Sequence, residues 1–195
     1  MSGFLVFDCE TTGLPIRRNL SVRDVDGWPR LVQLAWAVYD AFGRLEAAEC
    51  RMVRPDGFLI PPDSTRIHGI SHERALAEGN AVGDVLGLFA RALDSPFDAV
   101  IAHNLEYDRN VVGAELIRAE LPSRLFERPG LCTMKTTTDL LKIPGPYGYK
   151  WPKLEELYLF LFEAGYEGAH DAALDVEATA RCFFELRRRG HYPRA

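Results

Sequence analysis

FLVFDCETTG, residues 4 to 13, opens with four apolar residues (Phe4, Leu5, Val6, Phe7) and runs directly into two carboxylates at alternate positions, Asp8 and Glu10. In a strand, alternate side chains share a face, so Phe4, Val6, Asp8 and Glu10 point the same way. Two negative charges then lie side by side at the end of a buried strand. That arrangement is costly unless a cation sits between them, and a divalent metal ion is the usual answer. Gly13 turns the chain away from the site. An isolated Asp-x-Glu is more often a strand surfacing into a polar loop. The pair acquires meaning only through partners elsewhere in the chain.

Outward from this strand, residues 15 to 30 form a polar, basic insertion with turn formers at Asn19, Asp26-Gly27 and Trp28-Pro29. Leu31 to Ala41 and Leu45 to Val53, separated by a Phe42-Gly43 turn, complete an antiparallel meander with the first strand. Pro61-Pro62 opens an irregular region containing Ile67-His68-Gly69-Ile70. Ser71 starts a short helix, and Asn80 caps a second that runs to about Leu93. Asp98 to His103 is a fourth strand reaching an edge at His103-Asn104. Helical periodicity follows from Leu105 to Leu121, with Asp108 one turn ahead of Val111 and Val112 on the inward stripe. A carboxylate on a core-facing stripe is rare unless paired or bound to a cation. Leu131 to Met134 reads as a short last strand and Ile143 to Pro152 as a loop. Helices follow over 153–164 and 171–189, the last ending in Arg187, Arg188 and Arg189, which suit the negative end of its dipole. The order β-β-β-α-β-α-β-α is a mixed sheet flanked by helices.

The length of 195 residues favours one domain spanning 1–195, large enough to bury a full core. No apolar run reaches the length of a membrane span, and the first residues lack the pattern of a secretory signal. Cys9, Cys50, Cys132 and Cys182 are far apart, so the expectation is reduced, buried thiols in a cytoplasmic protein. The formal net charge of −5 argues against broad electrostatic wrapping of duplex nucleic acid. It leaves room for a local site where metal ions supply the positive charge.

The third chemical element is HDAALD, His170 to Asp175. Asp171 caps the last helix, Asp175 sits one turn in beside its apolar face, and His170 precedes it on a segment free to move. Asp8, Glu10, Asp108 and Asp175 together carry four negative charges, which two divalent cations would neutralise. Two ions roughly 4 Å apart clamp the attacking and leaving oxygens of a phosphodiester. Mg²⁺ suits all-oxygen ligands and keeps waters for the nucleophile. His170 is the candidate base for that water.

With these residues in place, the chain resembles the DEDDh, or DnaQ-like, 3′–5′ exonuclease superfamily, which includes the proofreading subunit of bacterial replicative polymerase, the Trex nucleases and RNase T. FDCETTG (Phe7 to Gly13), HNLEYD (His103 to Asp108) and HDAALD occur in the family's order, and the His-x₄-Asp form of the last marks the histidine subclass. The resemblance spans roughly Phe4 to Leu186. It implies a ribonuclease H-like α/β fold with a five-stranded mixed sheet. It also implies removal of nucleotides from a 3′ end as 5′-monophosphates, with two Mg²⁺ ions for which Mn²⁺ would substitute. By position, Asp8, Glu10 and Asp175 would hold the tighter ion and Asp108 would help hold the second. His170 would deprotonate the attacking water. Thr11, Thr12 and Gly13 would approach the terminal nucleotide, Leu14 would wedge against its base, and His103 and Asn104 would line the site near the scissile phosphate. His68 would either touch the substrate or cap its own turn. Lys150 and Trp151 would either steer a strand backbone or stack a base, or belong to a plain surface loop.

The implied partner is a single-stranded 3′ end of DNA or RNA, with a polymerase or another replication or repair protein as a compatible associate. Proofreading, repair, RNA trimming and oligonucleotide recycling all fit, because a metal site reads only the phosphodiester. Two rival readings are a nucleic-acid-binding module of the same fold without catalysis and an oligonucleotide-specific phosphodiesterase.

Overall fold

The computed structural model describes residues 3–166 and 168–192. Its centre is strand β1 (Gly3–Thr11), which pairs antiparallel with β2 (Leu31–Tyr39) and parallel with β4 (Phe97–Ala102). β3 (Leu45–Met52) and β5 (Gly130–Cys132) form the edges, giving a mixed five-stranded sheet in the order β3-β2-β1-β4-β5. The expected antiparallel meander is therefore present, and its register places Asp8 opposite Ala35 and Glu10 opposite Gln33.

The alternation of β1 divides the molecule into two cores. Leu5, Phe7 and Cys9 face α3 (Val82–Leu93) and α4 (Leu105–Arg118), where Phe7 packs on Phe89 with ring centroids 5.4 Å apart. Phe4 and Val6 face α6 (Leu154–Phe162) and α7 (Ala172–Arg188), where Phe4 meets Phe183 edge-on at 4.8 Å. Asp8 and Glu10 continue the second face. β1 is buried along almost its whole length, as a strand covered on both faces must be. Its acids therefore emerge where the α7 layer begins.

Several local expectations are corrected. The segment after Pro61 is not irregular: α1 spans Pro62–His68, because Pro62 occupies the first turn, where no N–H is needed, and Gly69 at φ 73° closes the helix. α2 (His72–Glu78) is capped by Ser71 as expected, but α3 begins after Ala81 and not on an Asn80 cap. Asn80 instead bridges Val53 in parallel fashion, its amide donating to the Met52 carbonyl at 2.8 Å. Met134 lies not in the last strand but in α5 (Thr133–Leu141). The loop expected at 143–152 contains a minimal hairpin, β6 (Pro144–Gly145) with β7 (Gly148–Tyr149). All four cysteines are free, but only Cys9 and Cys182 are buried, and Cys50 is exposed on edge strand β3.

The 15–30 insertion is fastened to α4. Arg30 Nε donates to Glu115 Oε1 at 2.7 Å and the Leu31 amide to the same oxygen at 3.1 Å. Arg118 donates to the carbonyls of Val25 and Trp28. Trp28 Nε1 donates to the Ser21 carbonyl at 2.9 Å, and Trp28 itself is buried. This polar segment is consequently a built wall of the molecule, positioned beside the end of β1.

Candidate active site

Three elements converge at the C-terminal ends of β1 and β4. Asp8 and Glu10 leave β1 on the α7 side. Asp108, one turn into α4, reaches the sheet edge from the other layer, and its Oδ1 accepts from the Cys9 amide at 3.1 Å and the Cys9 thiol at 3.2 Å. Asp175, one turn into α7, accepts from Tyr166 Oη at 2.6 Å and from the His170 amide at 3.1 Å. Asp171 caps this helix through the Ala173 and Leu174 amides, and Gln33 of β2 accepts from the Ala172 amide at 3.2 Å. The start of α7 is thus tied both to itself and to the sheet.

The electrostatics of the four acids are unbalanced. None is ion-paired with lysine or arginine among the described residues. Burial and then mutual repulsion hold Asp8 well above the usual carboxylate range, with Asp108, Asp175 and Glu10 as the neighbours responsible. Burial followed by Asp175 and Asp108 pushes Glu10 up to about 8. Burial raises Asp108 to about 7 against the hydrogen bonds from Cys9 that oppose it, and burial also raises Asp175 against its bond from Tyr166. A group of buried acids in this state either takes up protons or takes up a cation. Ligand atoms of Glu10, His170 and Asp175 all lie within 4.8 Å of one another, close enough to share one ion. Asp8 and Asp108 are not in this closest group, but the four carboxylates with His170 beside them offer the oxygen-rich donors that a divalent metal of the Mg²⁺ or Mn²⁺ class takes.

Beside the acids, the chain turns through Thr11, Thr12 and Gly13. Thr11 Oγ1, Tyr107 Oη and the Gly13 carbonyl form a triangle with sides of 2.6, 2.6 and 2.9 Å. Gly13 adopts φ 144°, which favours glycine, although a Cβ there would meet nothing within 4 Å. Its requirement is one of backbone conformation. Thr12 Oγ1 accepts from the Arg30 amide at 2.9 Å, so this hydroxyl serves the insertion. Leu14 projects into solvent, 81% exposed. Thr11, Gly13, Leu14 and Tyr107, with Glu10, Ile67, His68 and His170, enclose a cleft of about 380 Å³ that Thr12 does not line.

The three histidines of the expected site have different surroundings. His170 is exposed, at φ 69°, over the acid cluster. His68 lines the cleft, 9% exposed, and its Nδ1 accepts from the Ile70 amide at 3.1 Å. Burial keeps its pKa below the ordinary histidine value, so the ring is neutral and its proton sits on Nε2. That buried Nε2 forms no full hydrogen bond, although the Thr11 carbonyl lies near enough to favour its protonated form. His103 is placed otherwise. Its Nε2 donates to the Pro152 carbonyl at 3.0 Å and its Nδ1 accepts from Thr133 Oγ1 at 3.0 Å. Burial lowers its pKa to about 4. Both ring nitrogens are used inside the protein, so the structure makes His103 a clamp on the 150–152 loop and leaves Asn104 to line the cleft. Lys150, similarly, is engaged with Glu156 at 2.5 Å.

Tyr107, Tyr166 and Cys9 escape sequence reasoning. Tyr107 and Cys9 lie inside motifs whose acids draw the attention, and Tyr166 lies in a connecting segment with no pattern at all. A larger cavity of about 710 Å³ lies between β2, β3 and α7, but its walls are largely apolar and include none of the four acids.

A family model described as Exonuclease matches residues 5–183, nearly the whole chain. The chain belongs to the exonuclease family. Similar solved structures include the zinc-bound form of the E. coli exonuclease I–single-stranded DNA complex, with a TM-score of 0.78 and 20% identity over 97% of this chain and 41% of that one. E. coli exonuclease I with a dA16 oligonucleotide has a TM-score of 0.76 and 20% identity, over 97% and 42% of the two chains. The moderately thermophilic exonuclease I from Methylocaldum szegediense has a TM-score of 0.75 and 21% identity, over 97% and 41%. These likenesses establish the ribonuclease H-like exonuclease fold. This exonuclease-family chain spans about two-fifths of the length of those structures. A comparison with curated protein sequences returned no match. No helix among the described residues is long and apolar enough to cross a membrane.

Proposed function

We propose that this exonuclease-family chain hydrolyses single-stranded DNA or RNA from the 3′ end, releasing 5′-monophosphates, with two Mg²⁺ ions that Mn²⁺ can replace. The observation that carries the reading is the convergence of Asp8, Glu10, Asp108 and Asp175 from three separate elements without a cationic side chain among them. Asp8, Glu10 and Asp175 would hold one ion and Asp108 would help hold the other. Bound there, such ions supply positive charge to the phosphodiester and acidify water at neutral pH.

The remaining steps belong to this chain's own residues. His170, exposed and next to the cluster, accepts the proton of the attacking water. The terminal nucleotide occupies the cleft of about 380 Å³, where Leu14 and the half-exposed Ile67 present apolar faces to its base. The Thr11–Gly13 turn supplies backbone groups to its sugar. His68 Nε2–H, which faces the Thr11 carbonyl without forming a full hydrogen bond, donates to an oxygen of that nucleotide. Asn104, with its backbone at φ 78°, faces the strand as it leaves the cleft, and His103 positions the neighbouring loop.

The test is hydrolysis of 5′-labelled single strands of DNA and RNA by the purified chain with Mg²⁺, beside duplexes and 3′-phosphorylated controls. The expected result is stepwise shortening by single nucleotides, abolished by chelator and by a 3′-phosphate. Cutting of a closed circular strand, or full activity in chelator, would refute the reading.

A further inference from the structure

The basic insertion and the loop at Trp151 face one another. Between them lies a groove of about 300 Å³ with Arg17, Arg18 and Trp28 on one side and Lys135 and Trp151 on the other. Asn104 and Tyr107 line both this groove and the cleft beside the acids, so the two compartments are neighbours that share a wall. The walls are held in place. The insertion is bound to α4 through Glu115 and Arg118, and Trp151 precedes the carbonyl that His103 grips.

The chemistry of the groove runs against that of the whole chain. The formal net charge is −5, yet three cations stand at this opening. Arg17 lies 3.5 Å from Asp24 with both side chains mostly exposed, and Lys135 pairs with Glu106 at 2.5 Å in a similarly open setting. Exposed pairs of this kind hold weakly and exchange partners readily. Arg18 is exposed and has no ion pair among the described residues. Trp151 is 61% exposed, with Lys135 Nζ 5.9 Å from its ring centroid. A large aromatic face left in solvent next to mobile cations is the composition of a single-strand track: cations follow phosphates, and bases stack on the ring.

We propose that this groove binds the nucleotides on the 5′ side of the scissile phosphate, with Arg17 and Arg18 on their phosphates and Trp151 stacked on a base. The proposal rests on the exonuclease reading for the direction of the strand. It rests on the groove alone for the fact of binding. It follows that a duplex end, whose second strand would meet the insertion, is a poor occupant. A strand too short to extend past Asn104 would bind weakly.

The experiment is a fluorescence-anisotropy titration of a 5′-fluorescein-labelled dT8 strand in excess chelator, repeated over a salt series. The expected result for R17A/R18A is about tenfold weaker binding at low salt. Its salt slope should also be flatter by about 1.4, from about 0.7 for each phosphate contact on a single strand. W151A should weaken binding at least about fivefold, the low end for one stacked base, and W151F should restore most of the loss because a smaller aromatic face still stacks. Binding by R17A/R18A within twofold of the unmodified chain at an unchanged slope would overturn the proposal, as would absence of measurable strand binding by the unmodified chain. Hydrolysis of the same dT8 after Mg²⁺ addition separates the two readings. A strand bound through these residues but never shortened would sink the exonuclease reading and leave the groove standing.

Discussion

Two buried carboxylate sites adjoin the 11–30 segment, the acid cluster beside Thr11 and Glu115 at Arg30, and they differ in one respect. Glu115, 1% exposed, receives Arg30 Nε at 2.7 Å and the Leu31 amide at 3.1 Å, with Arg118 Nη1 at 3.0 Å from the same oxygen, off the hydrogen-bonding direction. Asp8, Glu10, Asp108 and Asp175 have one another, two tyrosine or thiol donors and some amides. Both sites bury negative charge. The first is neutralised by the fold, so it holds an insertion in place. The second is left unneutralised by the fold, so the balancing charge has to come from outside the chain. A buried acid with its own arginine is architecture, and a buried acid cluster without one is a binding site.

The largest effect expected from this contrast is on turnover. Asp8→Asn and Asp175→Asn should leave no detectable hydrolysis of a labelled single strand. In chelator, their melting temperatures should equal or exceed that of the unmodified chain, because each removes a repelling charge. Unfolding of these variants would move the acids into the same class as Glu115. His170→Ala follows in size, with a loss of about 10²–10⁴-fold in rate, the range for a positioned base. That loss should fall on kcat with strand affinity retained. A rate close to that of the unmodified chain would assign the proton to another acceptor.

The unbalanced site should also be visible in stability against pH. Glu10 and Asp108 have folded-state pKa values above their ordinary ones, at about 8 and about 7. Such groups stabilise the fold below the ordinary carboxylate range and lose that contribution as pH rises through the folded values. The melting temperature in chelator should therefore fall between about pH 4 and pH 8, and Mg²⁺ should recover more of it at pH 8 than at pH 5. A flat metal-free profile would contradict the burial and repulsion ascribed to these acids. At the balanced site, Glu115→Ala strands two partly buried arginines and should cost about 2–4 kcal/mol, somewhat under the range for a fully buried pair. It should also loosen the insertion and so weaken strand binding. Glu115→Ala at unchanged stability would show that the arginines find water at no cost.

The legible parts of the molecule were those where chemistry fixes spacing. Asp8 and Glu10 had to share a face because strand side chains alternate, and Asp108 had to point inward because it lies one turn from Val111. Two helices carry little signal in the sequence, each for an identifiable reason. Pro61-Pro62 reads as a breaker, yet a proline in the first turn costs nothing, and α1 uses it to start. α5 is rich in threonine, a poor helix former. Its Thr137 and Thr138 hydroxyls bond back to the Thr133 and Met134 carbonyls at 2.7 and 3.1 Å, and packing of Met134 and Thr137 decides the outcome. Spacing gives His103 its neighbourhood but not the direction of its ring, which the structure turns toward Thr133 and Pro152. The tyrosines that orient the site carry no period and no spacing, so only the assembled structure reveals them.

The smallest effect belongs to one of these tyrosines. Tyr166 Oη donates to Asp175 at 2.6 Å, while its ring packs on Tyr158 with centroids 5.1 Å apart, so Tyr166→Phe removes the bond and keeps the packing. Asp175 would retain its bond from the His170 amide. Partners of metal-binding side chains typically contribute 10–100-fold to metal affinity, and with one donor remaining the loss should be about tenfold. Its pH dependence has a definite sign. The Tyr166 bond favours ionised Asp175 against the burial that raises its pKa, so the phenylalanine variant holds its proton to higher pH. A metal ion must displace that proton, and the deficit should be larger at pH 6.5 than at pH 8.5. Mg²⁺ titrations of activity at the two pH values measure this directly. An equal deficit at both would place the contribution of Tyr166 in orienting Asp175 and not in its protonation.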